Sequence, residues 1–203
     1  MKLRSSSDRL PSWDLSDLFS GIDDPSIERM LKRLRKKAEA FSKRYKGTVK
    51  RMIKPVALFG MIKEYESLLE SSVKPEIYAT LVFSADSKNP KHGAFYQKMK
   101  QEGLAIYQTL LFFELELSQL PEAVLQKFAT HHTLHSYCHY LKRIADYRPH
   151  RLDEARERLM NDLDLTGGSA FTRLFDEELS NKRFRIRRGK QVIEASEEEI
   201  LHG

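Results

Sequence analysis

Apolar residues Ile27, Leu31, Leu34, Ala38, Phe41 and Tyr45 recur at alternating steps of four and three, the spacing that lines one face of a helix. Asp24-Pro25 ahead of them supplies an N-cap and a proline suited to the first helical position, and Gly47 behind them supplies a C-cap. The pattern therefore predicts a helix from about Pro25 to Lys46. A second run, Leu58, Ile62, Tyr65 and Leu69 at steps of four, three and four, predicts a second helix. Pro75 is expected to open a third in PEIYATLVFSAD. After the turn signal Asn89-Pro90 no proline occurs up to Leu120, and the only glycines there are Gly93 and Gly103, which predicts one long helix.

The second half of that helix, LAIYQTLLFFELELSQL, is apolar on nearly every side, which places it inside a bundle. Pro121 starts another helix in PEAVLQKFATH, and HTLHSYCHYLKRIADY is expected to continue as one or two more until Arg148-Pro149 ends the pattern. LDEARERLMNDL is again helical. In LTGGSAFTRLFDEEL the N-cap is either Thr166 or Ser169. The period then shortens to two: FRIRRGKQVIEA alternates around Arg188-Gly189-Lys190, the mark of a β-hairpin over residues 184–195. Ser196 and Glu199 make a capping box, but the chain ends about two turns later, short of the ~12 residues an isolated helix needs. The expectation is a front part of a longer polypeptide. The fold class expected is mainly α, an antiparallel helical bundle with one small β-hairpin near the C-terminus. It forms a single N-terminal helical domain over residues 1–203, with residues 1–11 a flexible tail.

Composition narrows the function classes. A hydrophobic content of 40% beside 32% charged residues in 203 positions describes a globular chain with enough apolar mass for a sizeable core. One cysteine allows no intrachain disulfide, and MKLRSSSDRLPSWDL lacks the apolar core of a secretory signal. The longest uncharged apolar stretch, Leu104 to Phe113, is about half the ~20 residues of a membrane span. A cytoplasmic location without membrane association is expected. The net charge of +6 comes from one segment: between Ile27 and Lys54, twelve Lys or Arg stand against two Glu. That segment also carries the first apolar seam, so its basic residues fill the solvated faces of a helix. It has no interleaved exposed aromatics and no known motif, and nucleic acid is not expected as a partner.

Three places invite a chemical reading. HHTLHSYCHYL, residues 131–141, holds four of the seven histidines and the only cysteine. On one helix His131, His135 and His139 would fall four apart on one face beside Cys138, and these are ligands zinc prefers. The segment lacks a base glutamate and a third ligand from elsewhere, while Leu134, Tyr137, Leu141 and Ile144 account for it by packing. Glu114 and Glu116 interrupt an apolar helix, but at a spacing of two they diverge by about 200° and cannot share one substrate. Each is expected to pair with a cation from a neighbouring helix or to lie at the helix margin. Thr166-Gly167-Gly168-Ser169 could hold an anion at a helix start, with a plain cap as the simpler reading. No phosphate-binding loop, dinucleotide fingerprint, C-x-x-C, G-x-S-x-G or H-E-x-x-H is present.

Several ordered words together carry a family resemblance: Trp13-Asp14-Leu15-Ser16-Asp17-Leu18-Phe19, AEAFSKRYKG, YESLLE, YATLVFSADSKNP, LLFFELEL, YCHYLKRIADYRPHRL and TGGSAFTRLFDEEL. From about Ser12 to Leu201 the chain resembles the N-terminal region of the oligoendopeptidase F family, thimet-oligopeptidase-like zinc metallopeptidases. The resemblance implies a helical wall of a deep channel in which short peptides are cleaved. The zinc site, H-E-x-x-H plus a further Glu, lies in the family's C-terminal half, so no catalytic, cofactor-binding or metal residue is assigned here. Zinc is expected only in the full-length family member. The partners implied are an oligopeptide substrate and that catalytic half, and the chain alone is expected to be inactive. The alternative is a truncated stand-alone protein acting as a peptide- or protein-binding module, which requires a large exposed apolar patch.

Overall fold

The computed structural model describes residues 13–49, 54–189 and 191–201; the tail expected over residues 1–11 lies outside them. Helix α1 spans Pro25–Tyr45. The Asp24 carboxylate caps it, accepting from the Ser26 amide at 2.7 Å and from the Ser20 amide and hydroxyl at 3.0 and 2.9 Å. Those donors, the Ser20 and Ser26 amides first, hold its pKa far below the usual carboxylate range. Beyond Tyr45, Gly47 takes φ +77°, a conformation a side chain would strain. The seam is as the spacing predicts: Ile27, Leu31, Leu34, Ala38 and Phe41 are buried and Tyr45 is half-buried.

Helix α2 runs unbroken over Pro55–Ala85 with Pro75 inside it, where a third helix was expected to begin. Pro75 removes the amide that would bond the Ser71 carbonyl, at a cost of about 3 kcal/mol. The buried stripe nevertheless continues through it, from Leu58, Ile62, Tyr65 and Leu68 by way of Ser72 and Pro75 to Tyr78, Ala79 and Phe83. Each large apolar side chain buried stabilises by roughly 1.5–3 kcal/mol, so the seam beyond the proline outweighs the lost bond.

The single helix expected up to Leu120 is divided into α3, Pro90–Leu110, and α4, Phe112–Ser118. Arg158 Nη2 donates to the Gln108 carbonyl at 2.9 Å, the acceptor that the Phe112 amide would use in a continuous helix. The Thr109 hydroxyl also donates back to the Ala105 carbonyl at 3.0 Å. Leu111 keeps helical dihedrals, φ −53° and ψ −37°, so the ladder is interrupted while the backbone stays helical.

Helix α2 lies antiparallel to α1 and α3. Phe41 meets Tyr65 (ring centroids 6.2 Å apart) and Phe83 stacks on Tyr96 (5.2 Å, 6°), while Arg35 Nε bonds Glu102 from α1 to α3 at 2.9 Å. Phe41, Tyr45, Tyr65, Phe112 and Phe113 form an aromatic knot in this core, with centroid separations of 4.8–6.5 Å between paired rings. Helices α5 (Glu122–Ala129) and α6 (Cys138–Tyr147) pack on each other beside α4, with a 3-10 helix, His132–Tyr137, between them in sequence.

Helices α7 (Glu154–Thr166) and α8 (Gly168–Asn181) run end to end along α3 in the opposite direction. Gln108 bonds Asp162 at 2.7 Å, Arg173 bonds Gln97 at 3.4 Å, and the Glu177 carboxylate lies beside Gly93. The hairpin follows as predicted, β1 Phe184–Arg188 and β2 Gln191–Ala195, in the register Phe184↔Ala195 and Ile186↔Ile193. Gly189 at φ +63° makes its turn. The capping box forms reciprocally: the Ser196 amide donates to Glu199 at 2.7 Å and the Glu199 amide to Ser196 Oγ at 3.2 Å, opening α9, Glu197–Leu201. The fold is thus the antiparallel helical bundle with one hairpin that the sequence predicts. Among the described residues no helix is long and apolar enough to cross a membrane.

Candidate functional site

The histidine-rich segment does not lie on one α-helix. His131 precedes the 3-10 helix as its cap, with Nδ1 accepting from the Thr133 amide at 3.2 Å, and its ring lies 4.4 Å from that of His132. His135 falls within the tighter helix and His139 in α6. The change from three to 3.6 residues per turn between them destroys the four-residue face that a continuous α-helix would have made. Leu134, Leu141 and Ile144 are buried, and Tyr137 packs edge-on against Phe59 at 5.8 Å. Among the described residues no group of three or more His, Cys, Asp or Glu is placed to hold a metal ion. The zinc that the resemblance implies for full-length family members has no fitting donor set among them.

Glu114 and Glu116 point to different surroundings, as their spacing predicts. Glu114 accepts from Arg151 Nη2 at 2.6 Å, and the Tyr140 hydroxyl lies 3.5 Å away. Its cation comes from the strand-like residue after the Arg148–His150 turn, where a neighbouring helix was expected to supply it. Burial first, and the Glu114 charge second, raise the pKa values of Tyr65, Tyr107 and Tyr140. Glu116 binds no cation among the described residues. Its two carboxylate oxygens accept from the amides of Gly47 at 2.6 Å and Val49 at 3.3 Å, tying the end of α1 to α4. Sequence reasoning missed this role; the signal was the run of amides after a glycine cap, which needs acceptors from somewhere.

Neither Thr166 nor Ser169 is a cap. Thr166 ends α7, its hydroxyl donating to the Asp162 carbonyl at 3.1 Å, and the Ser169 hydroxyl donates to Asp164 Oδ2 at 3.2 Å. The junction is Gly167, at φ −103° and ψ −97°, where a Cβ would lie 2.7 Å from the Leu163 carbonyl oxygen. Close approach of backbone, rather than capping chemistry, selects glycine there. The Asp164 carboxylate already faces the first turn of α8, which disfavours a second anion.

Exposed apolar residues gather on the last two long helices. Helices α7 and α8 hold no buried residue. Leu159, Met160 and Leu163 continue across Gly167 into Phe171, Leu174 and Phe175, all between 49% and 70% exposed. On each helix their spacing lines one face, so the apolar surface there is grouped rather than scattered as single residues.

Two comparisons bear on this architecture. Residues 116–184, from α4 through α8 to the first residue of the hairpin, match a family model described as Oligopeptidase F. The chain resembles the N-terminal region of oligopeptidase F. The structure of oligoendopeptidase-F from Enterococcus faecium shares its fold, with a TM-score of 0.69 at 20% identity. That likeness covers 85% of this chain and 33% of the other, so the chain spans about a third of the length of that oligoendopeptidase. No curated protein matches the chain significantly. The oligopeptidase F match includes the histidine segment, Glu114's partner Arg151 and the whole apolar stripe, but it leaves out α1, α2 and α3.

Proposed function

We propose that this chain is the N-terminal helical portion of a cytoplasmic zinc metallo-oligoendopeptidase. It acts as one domain and forms a wall of the channel in which short peptides are hydrolysed. Alone it is inactive; the zinc and the residues that activate water belong to a catalytic half downstream. The observation that carries this reading is the stripe Leu159, Met160, Leu163, Phe171, Leu174 and Phe175, which lies on two helices without a buried residue inside the oligopeptidase F match. Amphipathic helices bury their apolar stripe against another layer, and the remainder of a longer chain is the layer this reading supplies.

The same stripe favours one other reading, a stand-alone module that binds a peptide or protein there. Two measurements separate them. The first reading expects an in-frame H-E-x-x-H in the coding sequence beyond Gly203, and no zinc-dependent cleavage of a quenched fluorescent oligopeptide by the purified 203-residue chain. Absence of the motif, together with saturable peptide binding that Phe171→Ser and Phe175→Ser abolish, would favour the module. Cleavage by the chain itself would overturn both.

A further inference from the structure

Helices α7 and α8 follow α3 as one rod. From Asp162 to Arg173 to Glu177 the rod advances eleven and then four residues, while its contacts on α3 step back eleven and four, from Gln108 to Gln97 to Gly93. The junction at Gly167 therefore adds no offset along α3, and it adds little rotation. At about 100° per residue, the exposed Leu159, Met160 and Leu163 lie about 130° round α7 from Arg158 and Asp162, which reach α3. Phe171, Leu174 and Phe175 lie about 130° round α8 from Arg173 and Glu177, in the same sense. The two apolar faces join into one.

That face is a palindrome. Counted from Gly167, its apolar residues stand at −8, −7 and −4 and at +4, +7 and +8. The next turn on either side carries opposite charges at equal distance, Arg156 at −11 and Glu178 at +11, both exposed. By the same angular count both lie on the apolar side, away from α3. The seam 156, 160, 163, 167, 171, 174, 178 runs at steps of four, three, four, four, three and four, the spacing of paired helices.

We propose that this face pairs with a second copy of the chain, antiparallel, about a two-fold axis at Gly167. Such an isologous contact sets each residue beside the one equally far on the other side of Gly167 in the second copy. Leu159 then meets Phe175, Met160 meets Leu174 and Leu163 meets Phe171, each contact occurring twice. Arg156 meets Glu178 at both ends, and Gly167 on the axis has no side chain to hold the rods apart. A parallel pairing is disfavoured, because it sets Arg156 against Arg156 and Glu178 against Glu178. A foreign peptide gives no reason for the receiving face to be symmetric about its own centre. Six side chains of this size, roughly half to two-thirds exposed, offer on the order of 600 Å² per copy. With the flanking polar residues this approaches the ~800 Å² per partner of a stable interface. The pairing is a property of the 203-residue chain by itself. It does not depend on the function proposed above, which the coding sequence beyond Gly203 tests separately.

The test is sedimentation equilibrium of the 203-residue chain between about 1 μM and about 1 mM, with circular dichroism to establish that each variant is folded. The chain should pass from its 23.7 kDa monomer to a species of twice that mass and no larger. R156E should weaken the dimer at least tenfold, because it sets like charges together at both ends, and E178R should act alike. R156E/E178R should restore the parental affinity. Both positions are exposed, so the core is untouched. A monomer throughout would overturn the pairing and leave the face to a downstream half or a foreign peptide. Growth beyond the dimer, association that R156E leaves unchanged, or a double variant that fails to recover would each overturn the two-fold register.

Discussion

Glu116 on α4 holds the backbone amides of Gly47 and Val49 with its two carboxylate oxygens, at 2.6 and 3.3 Å. Hydrogen bonds to an ionised acceptor contribute more than neutral ones, and an amide left unsatisfied costs about 1–3 kcal/mol. Glu116→Ala is therefore expected to destabilise the chain by about 1–2 kcal/mol in urea unfolding, and Glu116→Gln, which keeps one acceptor oxygen, by roughly half as much. An alanine variant as stable as the parent would show that water replaces the carboxylate without loss.

Arg151 and Glu114 make the most buried ion pair among those described, each side chain about one-fifth exposed (19% and 20%). Breaking a fully buried pair costs about 3–5 kcal/mol because one charge is stranded. With partial exposure, Arg151→Ala should cost about 2–3 kcal/mol. The pair Glu114→Gln with Arg151→Met removes both charges, so its loss should be smaller than the sum of the two single changes. Additive losses in a double-mutant cycle would mean that the two groups do not interact.

The two glycines Gly60 and Gly167 should respond to alanine with opposite signs. In α2 a Cβ on Gly60 meets nothing within 4 Å, so Gly60→Ala removes only the entropic penalty of glycine and should stabilise by about 0.5–1 kcal/mol. At Gly167 the new methyl would lie 2.7 Å from a backbone oxygen that cannot rotate away. Gly167→Ala should destabilise by about 1–3 kcal/mol. Thermal melts of both variants against the parent check the pair, and a stabilised Gly167→Ala would refute the close-approach reading of the α7–α8 junction.

What the sequence made legible follows from where each signal originates. The α1 seam, the Asp24 cap, the hairpin and the Ser196 capping box are written within a few residues of where they act, and all formed. The continuity of α2 through Pro75 was hidden, because a proline is read locally as a start while the seam that overrides it becomes visible only when Tyr78 and Phe83 are packed. The break at Leu111 depends on Arg158, fifty residues from the carbonyl it takes. Glu116 likewise answers amides 67 and 69 residues away. For the candidate sites, the histidine cluster was conspicuous in sequence and dispersed in space. Glu66 on α2 and Tyr137 on the 3-10 helix carry no shared motif and meet only through the packing of those two elements, at a 2.6 Å hydrogen bond.

Tyr137 offers a readout of that convergence at alkaline pH. Its hydrogen bond to Glu66, burial and the Glu66 charge raise its pKa from 10.0 to about 12. A folded-state value above the unfolded one means that the neutral phenol is favoured on folding. The contribution is fully present below pH 10 and is lost as pH rises through about 12. A pH titration of the 13Cζ resonances should find Tyr137 ionising near that value, and Glu66→Gln should bring it back toward 10 by removing the carboxylate that its proton serves. Unfolding free energy should fall over the same interval in the parent and fall less in the variant. If Tyr137 titrates near 10 in the parent, the contact between the 3-10 helix and α2 does not hold in solution.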